Sequence, residues 1–164
     1  MELFLMEEHN ELNLTKPKLI NVKHFENSEY MEVFSTDSYD FPDVFYSKTW
    51  FISEKFKKII EQYDPDIFGG TLVLINQDKD KKAIYFNMNP YTKNSLGKAS
   101  KITRNGLIEH LIIEKKNVNP FKIFKVKDKI QEFTVISLHI VEKLLREGIV
   151  GLKFERVRMV EDDI

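Results

Sequence analysis

The sequence predicts an α+β fold: a single domain whose mixed, mostly antiparallel sheet carries two principal helices packed on it. Three observations lead there. The chain has 164 residues, within the roughly 100–200 expected of one domain. Short runs rich in β-branched and aromatic residues recur along it, separated by Gly, Pro, Asn and Asp. Two of these runs end in serine, and each serine precedes an apolar stripe at helical spacing.

Taken in order, Leu3, Phe4, Leu5 and Met6 read as an opening strand, with polar residues 7–13 turning the chain. Pro17 and the neighbourhoods of Asn27–Ser28 and Asp37–Ser38 punctuate an irregular or strand-rich N-terminal third. Trp50, Phe51 and Ile52 are followed by Ser53 at a helix N-cap, and Phe56, Ile59, Ile60 and Tyr63 then line one helix face, which Asp64–Pro65 closes. Gly69–Gly70 leads into a strand over 71–75, which pairs through a polar turn with a strand over 83–88 as a hairpin. Residues 89–101 read as loop. Residues 107–113 are ambiguous, since Leu107, Ile108, Leu111 and Ile112 suit a helix while the run is short and ends β-branched. Strands follow over 121–126 and 133–136. Ser137 then caps a helix carrying Ile140, Val141, Leu144 and Leu145, and Gly148 stands where a left-handed residue ends it. A last strand covers 150–157 before an acidic tail. The segments 50–75 and 134–157 share the order strand, serine, helix, strand. Serine caps follow strands widely, so this parallel reads as two helices on one sheet rather than a duplication.

Composition narrows the chemistry. There is no Cys, which removes disulfides, thiolate metal sites and thiol catalysis. No apolar run reaches the roughly 20 residues of a membrane helix. Met1 to Met6 lacks the basic start of a signal peptide, so the expected location is cytoplasmic and no membrane partner is expected. His9, His24, His110 and His139 are too scattered for a two-histidine metal spacing, and no nucleophile elbow or phosphate-binding glycine loop occurs. The expectation is a protein with no catalytic residues, no metal and no cofactor.

Charge is segregated along the chain. Residues 1–47 hold ten acids and three bases, net −7, and residues 79–129 hold four acids and thirteen bases, net +9. From 25 to 47 there are six carboxylates and no Lys or Arg, interleaved with Phe and Tyr. Aromatics anchor interfaces while carboxylates steer a basic partner. The candidate partner-binding set is therefore Glu29, Glu32, Asp37, Asp40 and Asp43 for steering, with Tyr30, Tyr39 and Phe41 as anchors. The alternative is a nucleic-acid-binding or regulatory module on residues 79–129, with Lys81, Lys82, Lys93, Lys98, Lys101, Arg104, Lys115 and Lys116 along phosphates and Tyr85, Phe86 and Tyr91 stacking bases. An isoelectric point near 6.4 and the dominance of Lys over Arg argue against that reading.

The C-terminal third carries a resemblance. Asn119–Pro120–Phe121–Lys122–Ile123–Phe124–Lys125–Val126, then Phe133–Thr134–Val135–Ile136–Ser137, a helix, and Gly148–Ile149–Val150–Gly151–Leu152–Lys153–Phe154–Glu155 form one pattern. Upstream stand Trp50–Phe51–Ile52–Ser53–Glu54–Lys55–Phe56 and Ile84–Tyr85–Phe86–Asn87. Together they resemble the immunity proteins of polymorphic and contact-dependent bacterial toxin systems, many first catalogued as domains of unknown function. The similarity spans about residues 48–158 and leaves residues 1–47 outside it. It implies a cytosolic, non-catalytic inhibitor, one domain over 1–164, that binds and neutralises a cognate protein toxin encoded nearby.

Overall fold

The computed structural model describes residues 1–9, 21–25, 28–32, 41–76, 80–118 and 122–161. Its strands are β1 (Leu3–Glu8), β2 (Asn21–Phe25), β3 (Ser28–Glu32), β4 (Val44–Ser47), β5 (Thr49–Ser53), β6 (Phe68–Asn76), β7 (Lys81–Met88), β8 (Thr92–Lys93), β9 (Lys101–Ile102), β10 (Ile108–His110), β11 (Ile112–Glu114), β12 (Ile123–Lys127), β13 (Glu132–Ser137) and β14 (Leu152–Val160). The helices are α1 (Glu54–Ile60) and α2 (Leu138–Arg146), with short 3₁₀ turns at Pro65–Ile67 and Lys115–Asn117. The fold is α+β, with two α-helices among the described residues and strands in the majority.

The strands are divided between two six-stranded sheets and a two-stranded ribbon, where the sequence suggests one sheet. The division follows two compact units. One comprises Met1–Glu7, Pro90–Lys143 and Lys153–Ile164, and the other Glu8–Asn89 and Leu144–Leu152. They are called here unit 1 and unit 2.

In unit 2 the sheet order is β2-β3-β6-β7-β5-β4. The β3/β6 pair is parallel and the other neighbours are antiparallel. On this sheet Phe45, Phe51, Leu72, Leu74 and Tyr85 form an apolar cluster, with Phe41 and Ala83 packed against it. Phe45 stacks on Phe51 at 5.3 Å and meets Tyr85 edge-on at 5.1 Å, geometries that add to plain area burial. Helix α1 buries Phe56, Ile59 and Ile60. Tyr63 lies past its end and is 37% exposed.

In unit 1 the order is β11-β14-β1-β13-β12-β8, with β11/β14 and β12/β8 parallel. Its cluster joins Leu3 and Leu5 of β1 to Phe124, Val126, Val135 and Val157, closed over by Ile108, Leu111, Ile113 and Val118. The ambiguous run 107–113 resolves into two short strands. Ile108 pairs with Ile102 in the β9–β10 ribbon, and Ile112 pairs with Arg158. A register shift between Ile108 and His110 breaks the alternation and leaves a spacing that mimics a helix.

Counted from Ser53 and Ser137, the strand pairings of the two units coincide. Val44↔Ile52 and Phe45↔Phe51 match Ile123↔Ile136 and Phe124↔Val135. Ser53↔Tyr85 and Ile52↔Phe86 match Ser137↔Leu3 and Ile136↔Phe4. Outside β6 lies parallel β3, and outside β14 lies parallel β11. The parallel seen in the sequence is therefore a shared topology. The place that β7 takes in one sheet belongs in the other to the N-terminal strand β1.

Candidate interaction surfaces

The acidic segment is anchored at its C-terminal end by backbone demands that its residues satisfy. Tyr85 is 1% exposed, so its hydroxyl needs a partner, and it donates to the Pro42 carbonyl at 2.5 Å. Beside it, half-buried Phe41 packs on the unit 2 cluster. The Asp43 carbonyl accepts from Ser53 N–H at 2.8 Å. Its carboxylate accepts from the Ser53 hydroxyl at 3.1 Å and from Val150 N–H at 3.4 Å. Ser53 in turn accepts from Phe56 N–H at 3.3 Å as the N-cap of α1. Phe41 and Asp43 thus have places in the fold itself.

Glu29, Tyr30 and Glu32 lie on β3, in register with Leu72, Val73 and Ile75 of β6. Asp37, Tyr39 and Asp40 lie outside the described residues. Of the eight residues singled out, the structure brings Phe41 and Asp43 together at one end of the segment and places Glu29, Tyr30 and Glu32 on one strand.

Unit 1 holds a cleft of about 650 Å³, within the range of roughly 300–1,000 Å³ typical of ligand pockets. Leu5, Ile108, Phe133 and Val157 line it, together with Glu109, His110 and Arg158. Lys101 pairs with Glu109 at 2.7 Å and holds its carboxyl below the ordinary range, by hydrogen bond first and by charge second. Arg156, also on the lining, pairs with Glu2 at 2.5 Å. Sequence reasoning missed this cleft because its wall is the β9–β10 ribbon, whose two- and three-residue strands leave almost no periodic signal.

The cationic stretch is shared out by the fold. Lys81 and Lys82 belong to unit 2, whereas Lys93, Lys98, Lys101, Arg104, Lys115 and Lys116 belong to unit 1. Lys115 pairs with Glu161 at 2.6 Å. Of the three rings proposed to stack bases, Tyr85 is buried. Phe86 lies beneath the Lys57 ammonium at 5.1 Å, and Tyr91 is 48% exposed. Among the described residues no group of three or more His, Asp and Glu is placed to hold a metal ion, and no helix is long and apolar enough to cross a membrane. No protein-family model matches this chain, and no curated protein matches it.

Proposed function

We propose that this protein is an immunity protein that acts in the cytoplasm as one functional domain, binding a cognate bacterial toxin and neutralising it by contact alone. The observation that carries the reading is the run of six carboxylates without a single Lys or Arg over residues 25–47, interleaved with aromatic side chains. An inhibitor of this kind needs shape, anchors and complementary charge rather than a reactive constellation. A toxin that acts on nucleic acid has a basic face, and an acidic, aromatic surface covers it. The anchoring of Phe41 and Asp43 supports the reading in one respect: it ties one end of the segment to a rigid sheet, which lowers the entropic cost of binding. The burial of Tyr85 weakens the nucleic-acid alternative.

The test is association kinetics with the product of the neighbouring toxin gene. Asp37→Lys with Asp40→Lys should slow association by about tenfold at low salt and leave the melting temperature unchanged. Asp43 is left out of that pair because its carboxylate serves the α1 cap. Wild-type association with wild-type salt dependence in the double variant would refute the acidic interface. Failure of the two proteins to associate at all, or tight binding of an oligonucleotide with a steep salt slope, would overturn the functional reading.

A further inference from the structure

The buried cluster of unit 1 meets solvent at the cleft. Six of the ten residues in that cluster are fully enclosed, and the four that keep some exposure are Leu5, Ile108, Leu111 and Val157, at 9%, 7%, 9% and 5%. All four line the cleft, with half-buried Phe133 beside them. The hollow therefore ends on the core itself, and its floor is aliphatic and aromatic.

Strand alternation sorts the charges around this floor. On β14, Val157 belongs to the buried cluster and Met159 packs against it. Glu155 leaves the strand on that same side, whereas Arg156 and Arg158 leave on the other, where Arg156 pairs with Glu2. On β1, Glu7 shares the face of Leu3 and Leu5. The two strands are neighbours in the sheet, so Glu7 and Glu155 rise beside the floor from adjacent strands, and both belong to the lining. Neither makes an ion pair among the described residues. Lys153, on the same face of β14, is outside the lining. Lys101 is bonded to Glu109, and His110 acts on that same carboxylate. The cleft is left with an apolar floor and two carboxylates that no cation among the described residues neutralises. Like charges on adjacent strands do nothing to help a sheet form.

We propose that this cleft is a binding site for a small organic cation, a protonated amine carried on an apolar body. The body displaces water from Leu5, Ile108, Leu111, Phe133 and Val157, and the ammonium stays at the mouth beside Glu7 and Glu155, where it remains partly hydrated. A carboxylate or phosphate ligand would instead meet two groups of its own sign. A small molecule suits the site better than a protein surface does, because the volume lies in the ligand-pocket range and the floor is recessed to the core. The inference is independent of the function proposed above, which rests on residues 25–47.

The experiment titrates phenylethylamine and hexylamine into the full-length protein labelled at Ile, Leu and Val methyls, each beside the alcohol and the carboxylate with the same apolar body. Ligands of this size bind with about millimolar affinity at best. The amines should shift the methyls of Leu5, Ile108, Leu111 and Val157, the alcohols should do so more weakly, and the carboxylates should leave them in place. Glu7→Gln combined with Glu155→Gln should weaken the amines by about tenfold, while Glu142→Gln, which removes an exposed carboxylate on α2 outside the cleft, should change nothing. The same spectra report whether each variant is folded, and the comparison of amine with carboxylate needs no variant. Any of four results overturns the proposal: neither amine moves the four methyls at about 10 mM, the alcohols or carboxylates bind as well as the amines, the folded double variant binds as wild type does, or a Lys-bearing peptide binds the cleft more tightly than the amines and so makes it a protein-docking surface.

Discussion

Ser53 and Ser137 occupy equivalent registers at the ends of β5 and β13, and the sequence reads both as helix N-caps. They behave differently. The Ser53 hydroxyl accepts from Phe56 N–H and donates to the Asp43 carboxylate, so both of its hydrogen-bonding roles are filled. The Ser137 hydroxyl is buried and makes no hydrogen bond. A capping hydroxyl is worth about 1 kcal/mol, whereas a buried hydroxyl without a partner costs free energy that a methyl group does not. Ser53→Ala should therefore destabilise the protein by about 1 kcal/mol in urea denaturation, and Ser137→Ala should leave it unchanged or more stable. Equal losses for the two variants would contradict this assignment. The difference is invisible in the local sequence because the partner that orients Ser53 is Asp43, across a β-hairpin. The same bond explains why Asp43 reads as a steering charge from composition alone, whereas the fold uses it as a second support for α1.

At the scale of elements, what was legible had a local cause. The hairpin of β6 and β7, both helices and the end of α2 follow from periodicity and punctuation within a dozen residues. After α2, Gly148 stands at φ +68°, with Gly148 N–H bonded to the Leu145 carbonyl and Ile149 N–H to the Leu144 carbonyl, both at 3.0 Å. This is the paired arrangement that ends helices in a left-handed residue. No atom lies within 4 Å of a Cβ added there, so the cost of substitution is one of backbone conformation and not of crowding. Gly148→Ala should then lower stability by about 1 kcal/mol, and Gly148→Asn by less, since Asn tolerates this region. Matching losses for Ala and Asn would point to a different cause. The strands β8 to β11 were not legible, because their length is two or three residues and, for β8 and β11, the partners β12 and β14 lie far away in sequence. The turn at Asp128 belongs to the same region and makes a pH-dependent contribution. Its carboxyl is held below the ordinary carboxylate value, first by the Gln131 amide and then by that of Ile130. A depressed folded-state value means that the contribution is complete above the unfolded value of about 3.9 and fades as pH falls through the lower folded value. The stability gap between wild type and Asp128→Ala should accordingly be open at about pH 6 and close as the solution is acidified below that range. A gap that widens in acid would reverse the assignment.

At the scale of the molecule, two sheets of common register are built from one chain, and the N-terminal strand stands in the second where β7 stands in the first. Neither fact could be read from composition. Ile52 and Ile136 are identical, but Phe51 faces Val135 in the comparison and Trp50 faces Thr134, so the shared positions preserve strand geometry and not side chains. The charge segregation, by contrast, was fully legible, although a count along the chain does not say which acids the fold keeps for itself. The permuted position of β1 has a mechanical consequence. In the unit 2 sheet, β7 is tied to β6 by a hairpin, so closing that pair costs little loop entropy. In unit 1, β1 lies between β14 and β13 in the sheet but is far from both along the chain. Its insertion closes a long stretch of chain and so costs more loop entropy, and without it β13 and β14 become two open edges flanking a strand-wide gap. Leu3 and Leu5 would leave the unit 1 cluster at the same time. Deleting residues 1–8 should thus abolish slow amide exchange along β13 and β14 while a peptide of those eight residues, added in excess, restores it by strand addition. A peptide in which Leu3 and Leu5 are replaced by Ser should fail, because main-chain hydrogen bonds alone do not refill the apolar layer that the two leucines complete. Full protection of β13 and β14 in the truncated protein would show that the sheet closes without β1, and the equivalence with β7 would then be one of position only.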